Sequence, residues 1–355
     1  KGASFELNTD ESILSGVLPT GIQFGPDGAL YLADWITGWE PKNYGRIWKL
    51  DVTKDENNLE NERKETQRLM TLDYEDQSTD ELVALLSYSD MRIRKKAQFA
   101  LAKSGSGFSA LRDVLKEGEN QFARIHAIWG IGQIAAEDLE NAKPLVDILS
   151  DNDPEIIAQA TKVLGDVKYA DAASAFIPLL KHANDRVKFF AAQALGRIQY
   201  EAAVQPLLAM IEANNDADVY LRHAAVLALS RIGKTDAIVA LVNNPNRGLR
   251  IAAVLVLRRI QDPQVALFLN DEDEYIVTEA ARAINDDWSI EKALPALAKT
   301  LTIEKFTSEP LLRRAINAAL RVGSDEALEN LITFAKRKDV SSVLRGEALA
   351  TIGTW

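Results

Sequence analysis

The chain has 355 residues, of which 47% are hydrophobic and 26% charged, a balance typical of globular proteins and a length that allows more than one domain. Its 52 acidic and 41 basic side chains give a net charge of −11 without a basic stripe, so we expect no nucleic-acid partner. Cysteine is absent, which excludes disulfides, thiolate metal sites and covalent c-type haem. No apolar run approaches the roughly 18 residues of a membrane span, so we expect no membrane insertion by this chain.

The first 51 residues have the pattern of short β-strands. The segment "SFEL" alternates, and "TGIQF" and "ALYLADW" flank the tight-turn sequence "GPDG". A further strand is predicted for "GRIWKLDV". We therefore predict a small antiparallel β-meander over residues 1–51, the size of one propeller blade. Because propellers need about 4–8 blades, we expect the meander to pack against the helices that follow or against further blades upstream.

Two carboxylates and an aromatic cluster in this meander are candidates for a functional role. Asp27 is interpreted as a turn residue that accepts local backbone N–H groups. Asp34 is interpreted as a strand-end residue, because one carboxylate does not make a metal or substrate site. The sequence also clusters four aromatic residues, which are predicted to pack the meander onto the first helices: Trp35, Trp39, Tyr44 and Trp48. The alternative is that Trp35, Trp39 and Tyr44 form a surface that anchors a partner or stacks on a sugar.

Residues 52–79 are polar and highly charged. We predict a linker here, with at most a turn or two of helix, because such charged runs are usually solvated.

The remainder, residues 80–355, consists of internal repeats. One column of apolar residues recurs at intervals of 27 to 36 residues, at Leu101, Ile131, Leu164, Leu195, Leu229, Leu257, Ile284, Leu320 and Ile352. Eleven residues earlier stands a column of short polar residues in nearly every unit, which predicts helix N-caps at Asp90, Asn120, Asp153, Asn184, Asp218, Asn246, Asp273, Glu309 and Ser341. Between these helices lie shorter ones, with prolines near their starts. Glycines near the helix ends are predicted to adopt the left-handed conformation, at Gly105, Gly132, Gly165, Gly196, Gly233 and Gly323.

Each unit is therefore a helix pair that cannot bury its own apolar face, and stacked pairs bury a continuous core. We predict an all-α fold: an α-solenoid of about nine short helix pairs, with the β-meander at its N-terminus. The pattern resembles the HEAT family in the short form also seen in phycobilin-lyase-like repeats, since units of about 31 residues are shorter than the roughly 40–47 of usual HEAT repeats.

A basic column follows the predicted caps by four residues, at Arg94, Arg124, Arg222, Arg250, Arg313 and Arg345. The favoured interpretation is a structural ladder, in which each arginine reaches a cap carboxylate or amide of a neighbouring unit and fixes the stacking. The alternative is a basic groove for an anionic ligand, which would need arginines without matched acids.

The sequence gives no catalytic, cofactor-binding or metal-binding residue. His126, His182 and His223 fall in different registers and share no face, so each is interpreted as a satisfied or exposed histidine. Ser-His-Asp order, a Walker loop and a dinucleotide fingerprint are all absent.

A more specific resemblance covers residues 1–105. "KGASFEL", "FGPDGALYLADW…GW", "GRIWKL" and "DELVALLSYSDMRIRKKAQFALAKSG" look like the last blade and first helical repeat of a bacterial family of membrane-bound dehydrogenases. Proteins of that family join a sorbosone/glucose-dehydrogenase-like β-propeller to HEAT repeats, and many add a c-type haem domain. The resemblance implies a parent protein in the periplasm or at the cell surface, with haem c and a quinone as cofactors of the parent. The chain itself lacks Cys-x-x-Cys-His and most of a propeller, so no cofactor is assigned to it.

Three functions follow from these patterns. The first is a non-catalytic interaction or spacer module that holds a propeller domain relative to an electron-transfer domain or partner protein. The second is the closing blade and scaffold of a quinoprotein-like sugar or alcohol dehydrogenase. The third is a stand-alone protein-binding scaffold. Because no polar cap follows the last repeat, we expect a segment of a longer protein, which favours the first two.

Overall fold

The computed structural model describes residues 2–36, 40, 44–52, 59–286 and 289–355. Three strands come first, β1 Pro19–Phe24, β2 Leu30–Asp34 and β3 Arg46–Leu50. The helices that follow are α1 Glu60–Met70, α2 Thr79–Leu85, α3 Met91–Lys103, α4 Gly107–Glu117, α5 Gln121–Ala135, α6 Pro144–Asp147, α7 Pro154–Asp166, α8 Ala173–Leu179, α9 Asp185–Ile198, α10 Val204–Asn214, α11 Val219–Ile232, α12 Thr235–Val239, α13 Arg247–Ile260, α14 Glu274–Asn285, α15 Leu294–Lys299, α16 Glu309–Val322, α17 Asp325–Ala335 and α18 Ser342–Gly353. Between α13 and α14 the short helix is a 3-10 helix, Pro263–Asn270.

The helices form a HEAT-like α-solenoid preceded by a small antiparallel sheet, as predicted. Two compact units make up the chain. Residues Phe5–Val163 form one, and residues Leu164–Trp355 with residues 2–4 form the other, so the boundary falls inside α7. None of the described helices is long and apolar enough to cross a membrane.

The sheet has the order β1-β2-β3, and both pairings are antiparallel. The predicted tight turn joins β1 to β2: the Gly25 N–H donates to the Ala29 carbonyl at 2.8 Å, and Gly28 has a φ of +77°, a value that favours glycine. The predicted strand at "SFEL" was wrong, because residues 4–7 do not pair as a strand. Just before them, the Ala3 N–H donates to the carboxylate of Asp218, the N-cap of α11, at 2.8 Å. The start of the chain therefore bonds to a helix cap and not to a strand.

The predicted polar linker contains a helix that the sequence pattern underrated. Helix α1 has three turns, where we expected at most two. Its Arg63 donates to the Asp27 carbonyl at 2.9 Å and forms an ion pair with Asp51 at 3.0 Å. From α3, Arg92 donates to the Phe24 carbonyl at 2.6 Å. These bonds attach the turn and the end of the sheet to α1 and α3.

The cap column is confirmed in most units. A short polar side chain accepts a backbone N–H of the first helical turn at α3, α5, α9, α11, α13, α14 and α18, and Asp153 does the same for α7. The exception is α16, where Glu309 is the first helical residue and Ser308 is the cap. The alignment was one residue off there: Leu320 is 39% exposed, and Ala319 lies in the core instead.

The glycine prediction was right for two positions and wrong for four, among them Gly105, which does not have a positive φ. Gly233 and Gly323 end α11 and α16 with φ of +74° and +61°. Gly165 and Gly196 lie inside helices instead, and a Cβ at either would stand 2.6 Å and 2.5 Å from backbone or Cβ atoms of the next long helix. Gly132 faces Val163 at 2.5 Å in the same way. These glycines let helices approach closely, and α9 and α13 end on left-handed glutamines, Gln199 and Gln261.

Candidate functional site

Asp34 is a buried anchor at the end of β2. Its side chain accepts hydrogen bonds from the Leu18 and Ile36 N–H groups at 3.1 and 2.9 Å and from the Trp48 indole at 3.0 Å, and Arg46 lies 3.3 Å away. The Trp48 indole, followed by the two backbone donors, holds the pKa of Asp34 below its usual value. Each acceptor position is used to tie strand ends together, which favours a structural role over a metal or substrate role.

Asp27 organises the turn before β2. It accepts the Ala29 N–H at 3.2 Å and the Tyr31 hydroxyl at 3.0 Å, and its ion pair with Lys49 measures 2.8 Å. The hydrogen bond from Lys49 is the main reason that the pKa of Asp27 is lowered to about 2. The predicted turn role of Asp27 is therefore confirmed.

The three aromatic residues of the predicted partner surface cannot all be placed. Trp35 and Tyr44 are both exposed, and the Trp35 N–H donates to the Leu18 carbonyl at 3.0 Å. Trp39 lies outside the described residues. A partner role for this cluster stays a prediction.

The sheet itself has an apolar face that was not singled out in the sequence. Register places Ile22, Leu32 and Trp48 in one cross-strand row, and Phe24, Leu30 and Leu50 in the next row on the same side. Leu32 is buried, but Ile22 and Phe24 on the edge strand β1 are 64% and 58% exposed. We call these six residues the sheet face. Alternation along β1 and β3 was the available signal, because residues two apart in a strand share a side.

The first helix pairs contain a buried polar cluster around His126. Arg94 donates to His126 Nε2 at 3.2 Å, and Nδ1 lies 2.7 Å from Gln98 Oε1. Since a guanidinium only donates, Nε2 must accept and Nδ1 must carry the proton. Burial, with the charge of Arg94 second, lowers the pKa of His126 to about 4. His126 is thus a satisfied core histidine, as predicted, while His223 is exposed.

The arginine column makes bonds that differ from unit to unit. Arg124 and Arg250 both reach an aspartate of the next unit, Asp151 and Asp271, with N–O distances of 2.5 and 2.8 Å. These aspartates lie two residues before the caps, so the partner is not the cap itself. Arg222 instead bonds Asp216 of its own unit.

The remaining members of the column are less regular. Arg94 donates to the Tyr88 and Ser89 carbonyls of its own unit, both at 2.7 Å. Arg313 is half-exposed and pairs with Glu309 and Glu347, because the one-residue shift in α16 moves it out of the column. Arg345 has a buried Nε with no hydrogen-bond partner among the described residues.

Arg337, which is buried after α17, was not predicted from the sequence. It donates to the carbonyls of Leu301, Ile303 and Phe306 in the preceding unit at 3.2, 3.2 and 2.8 Å, and to Asp339 at 2.5 Å. Arg337 therefore connects the same two units as the Arg313–Glu347 pair. Whether these arginines determine stacking stays a prediction.

A groove of about 650 Å³ lies across α11, α13 and α14 in the second unit. Its charged lining includes Arg222, Arg258, Arg259 and Asp286. The Asp286 carboxylate is already engaged by Arg314 at 2.8 and 2.6 Å. We call this feature the arginine groove. Within the described residues, no group of three or more His, Asp or Glu side chains is arranged to hold a metal ion.

Comparisons with known proteins agree with this architecture. The family described as HEAT repeats matches residues 142–219, and the PBS lyase HEAT-like repeat matches residues 221–244. No curated protein matches the chain significantly.

Several solved structures are similar. One is the complex of CpcE and CpcF of phycocyanin lyase from Nostoc, at 20% identity and a TM-score of 0.37 over 68% of this chain and 94% of that one. A structure of Kap95p with RanGDP has 12% identity and a TM-score of 0.50, over 82% of this chain and 50% of that one. The karyopherin Kap121p bound to the extreme C-terminus of the phosphatase Cdc14p has 12% identity and a TM-score of 0.53, over 84% of this chain and 40% of that one. The helical part of this chain is a HEAT-like α-solenoid that contains HEAT repeats.

Proposed function

We propose that this chain is a protein-binding scaffold whose sheet face docks a partner protein. The observation that carries the proposal is the exposure of Ile22 and Phe24 beside the buried Leu32, on a sheet whose strand ends are tied by Asp34. A contiguous exposed apolar surface on a rigidly held element is typical of interaction sites. Kap95p and Kap121p, which share the fold, are seen with protein partners, and this supports the class of function.

Catalysis by the described residues has less support. The candidate carboxylates Asp27 and Asp34 both accept several structural hydrogen bonds. The buried histidine, His126, is enclosed between Arg94 and Gln98. A general base must reach a substrate proton, and these groups are occupied by their neighbours.

A matched pair of variants tests the sheet face. Ile22→Ser with Phe24→Ser removes its exposed edge, while Ile47→Ser changes a more exposed apolar residue on the opposite side of the sheet. A partner captured by the wild-type chain and identified by mass spectrometry should be lost with the first variant and kept with the second. Equal capture by all three chains would refute the sheet face as the docking surface.

A second candidate is the spacer function, favoured by the same uncovered face together with the resemblance of residues 1–105 to dehydrogenase propellers. In this version the face packs against neighbouring blades of one longer polypeptide, and the solenoid holds that propeller relative to an electron-transfer domain. Haem c and a quinone would then belong to the parent protein, located in the periplasm or at the cell surface. Sequencing the native gene tests it: upstream blades and a downstream Cys-x-x-Cys-His support it, and their absence refutes it.

A further inference from the structure

Three arginines occupy the same place in successive units of the second compact unit. Arg197, Arg231 and Arg259 each follow a residue of the buried apolar column by two positions, on α9, α11 and α13. Stacked units bring equivalent positions side by side, so the three side chains form a basic row.

Carboxylates neutralise only part of this row. Arg197 pairs with Asp166 at 3.0 Å. For Arg231 and Arg259, the described part of the chain supplies no ion pair. The pKa of Arg231 lies below its ordinary value, because burial first and then the charges of Arg197 and Arg259 disfavour its protonated form. The positive field of the row is therefore uncompensated around Arg231.

Arg259 connects the row to the arginine groove, since it also lines that groove. The groove floor is apolar, with Val226 buried and Leu255 half-buried. Asp286, the acidic residue of the lining, is held by Arg314, and no ion pair of Arg259 is found among the described residues. A groove with an apolar floor and a basic wall, of about 650 Å³, has the size and composition of a binding site for a short segment.

We propose that the arginine groove, extended by Arg231 of the basic row, binds an acidic peptide segment of a partner protein, with carboxylates at Arg259 and Arg231 and apolar side chains on Val226 and Leu255. Charge complementarity selects this occupant, because arginine forms strong bidentate bonds with carboxylates. The basic surface is small, and the chain as a whole has a net charge of −11. A nucleic acid is longer than this surface, so its remaining phosphates would be repelled by the acidic protein. The groove lies in a different compact unit from the sheet face, so the two surfaces are independent.

The test is fluorescence anisotropy with a labelled eight-residue peptide of alternating Glu and Leu, and with the same peptide carrying Gln for Glu. We expect the acidic peptide to bind and to be weakened by salt, and the Gln peptide to bind at least roughly tenfold more weakly. The double variant Arg231→Gln with Arg259→Gln should weaken binding roughly tenfold or more. The control is Arg112→Gln, at a half-exposed arginine of the first unit that pairs with Asp113, and it should change binding less than about twofold.

Circular dichroism melting of each variant separates loss of binding from loss of folding. Equal binding of the two peptides, equal loss with Arg112→Gln, or no wild-type binding at millimolar peptide would overturn the proposal. A single-stranded oligonucleotide of the same charge is added as competitor. If it displaces the peptide at equal or lower concentration, the groove recognises phosphates and the peptide assignment is wrong.

Discussion

The buried histidine makes the stability of the first helix pairs depend on pH in a way that the structure specifies. His126 accepts from Arg94 at Nε2 and donates from Nδ1 to Gln98. Protonation of Nε2 would place two donors and two positive charges face to face at 3.2 Å. The folded state therefore holds the histidine neutral, and the pKa falls from 6.5 to about 4.

The sign follows from proton counting. Between pH 6.5 and pH 4 the unfolded chain binds a proton at His126 and the folded chain does not, so the free energy of unfolding decreases as the pH falls through this window. A shift of that size corresponds to roughly 3 kcal/mol once the window has been crossed, and to about 2 kcal/mol at pH 5. Above pH 6.5 the full stability is present.

The assay is urea denaturation of the wild type and of His126→Gln at several pH values from 7.5 to 4.5. Many acidic groups titrate in the same range, but their contribution cancels in the difference between the two chains. His126→Gln should be less stable at pH 7.5, and the difference should shrink by about 2 kcal/mol by pH 5. His223→Gln, at an exposed position, is the control and should keep the wild-type pH dependence. A constant difference between wild type and His126→Gln across the range would refute the assigned tautomer and burial.

Two further pairs of variants test the packing. Gly165→Ala should destabilise the chain by about 1–3 kcal/mol in thermal or urea unfolding, because its new Cβ meets the next long helix at 2.6 Å, whereas Gly346→Ala, with nothing within 4 Å, should be neutral or slightly stabilising. Arg250→Met should lower the free energy of unfolding by about 3–5 kcal/mol, because it leaves the buried Asp271 carboxylate unpaired. Arg313→Ala, at a half-exposed position, should lower it by less than about 1 kcal/mol. Equal losses of stability in the two variants would argue against unequal roles for the arginines of the column.

Local chemistry explains why the helix starts were predictable. An N-cap such as Asn184 accepts the N–H groups of Arg186 and Val187, two and three residues later, so its partners lie within one turn of the chain. The same holds for Asp218 and most other caps. Because no distant partner is needed, the sequence period alone locates these residues.

Predictions failed where a residue's role depends on a distant helix. In the printed sequence, Gly196 looks the same as Gly233, since both stand near a helix end. Gly196 lies against Ala228 of the next long helix, and only that contact separates close approach from a left-handed C-cap. The partners of the arginines were equally hard to predict from the sequence. The partner of Arg250 lies 21 residues away in the chain, whereas the partner of Arg222 lies six residues away.

A ladder and a groove were posed as alternatives for the arginines, and we propose that the two roles belong to different columns. Arg124 and Arg250 follow the caps by four residues, where each donates to a backbone carbonyl and to an aspartate that lies two residues before the next cap. Arg231 and Arg259 lie near the other end of their helices, where the carbonyl ends of the helix dipoles favour positive charge without a matched carboxylate. A basic residue at a helix C-terminus is stable unpaired, so it remains free to bind a carboxylate of another chain. Arg124 and Arg250 lack this freedom, and for that reason Arg231 and Arg259 of the basic row are the place to look for a ligand.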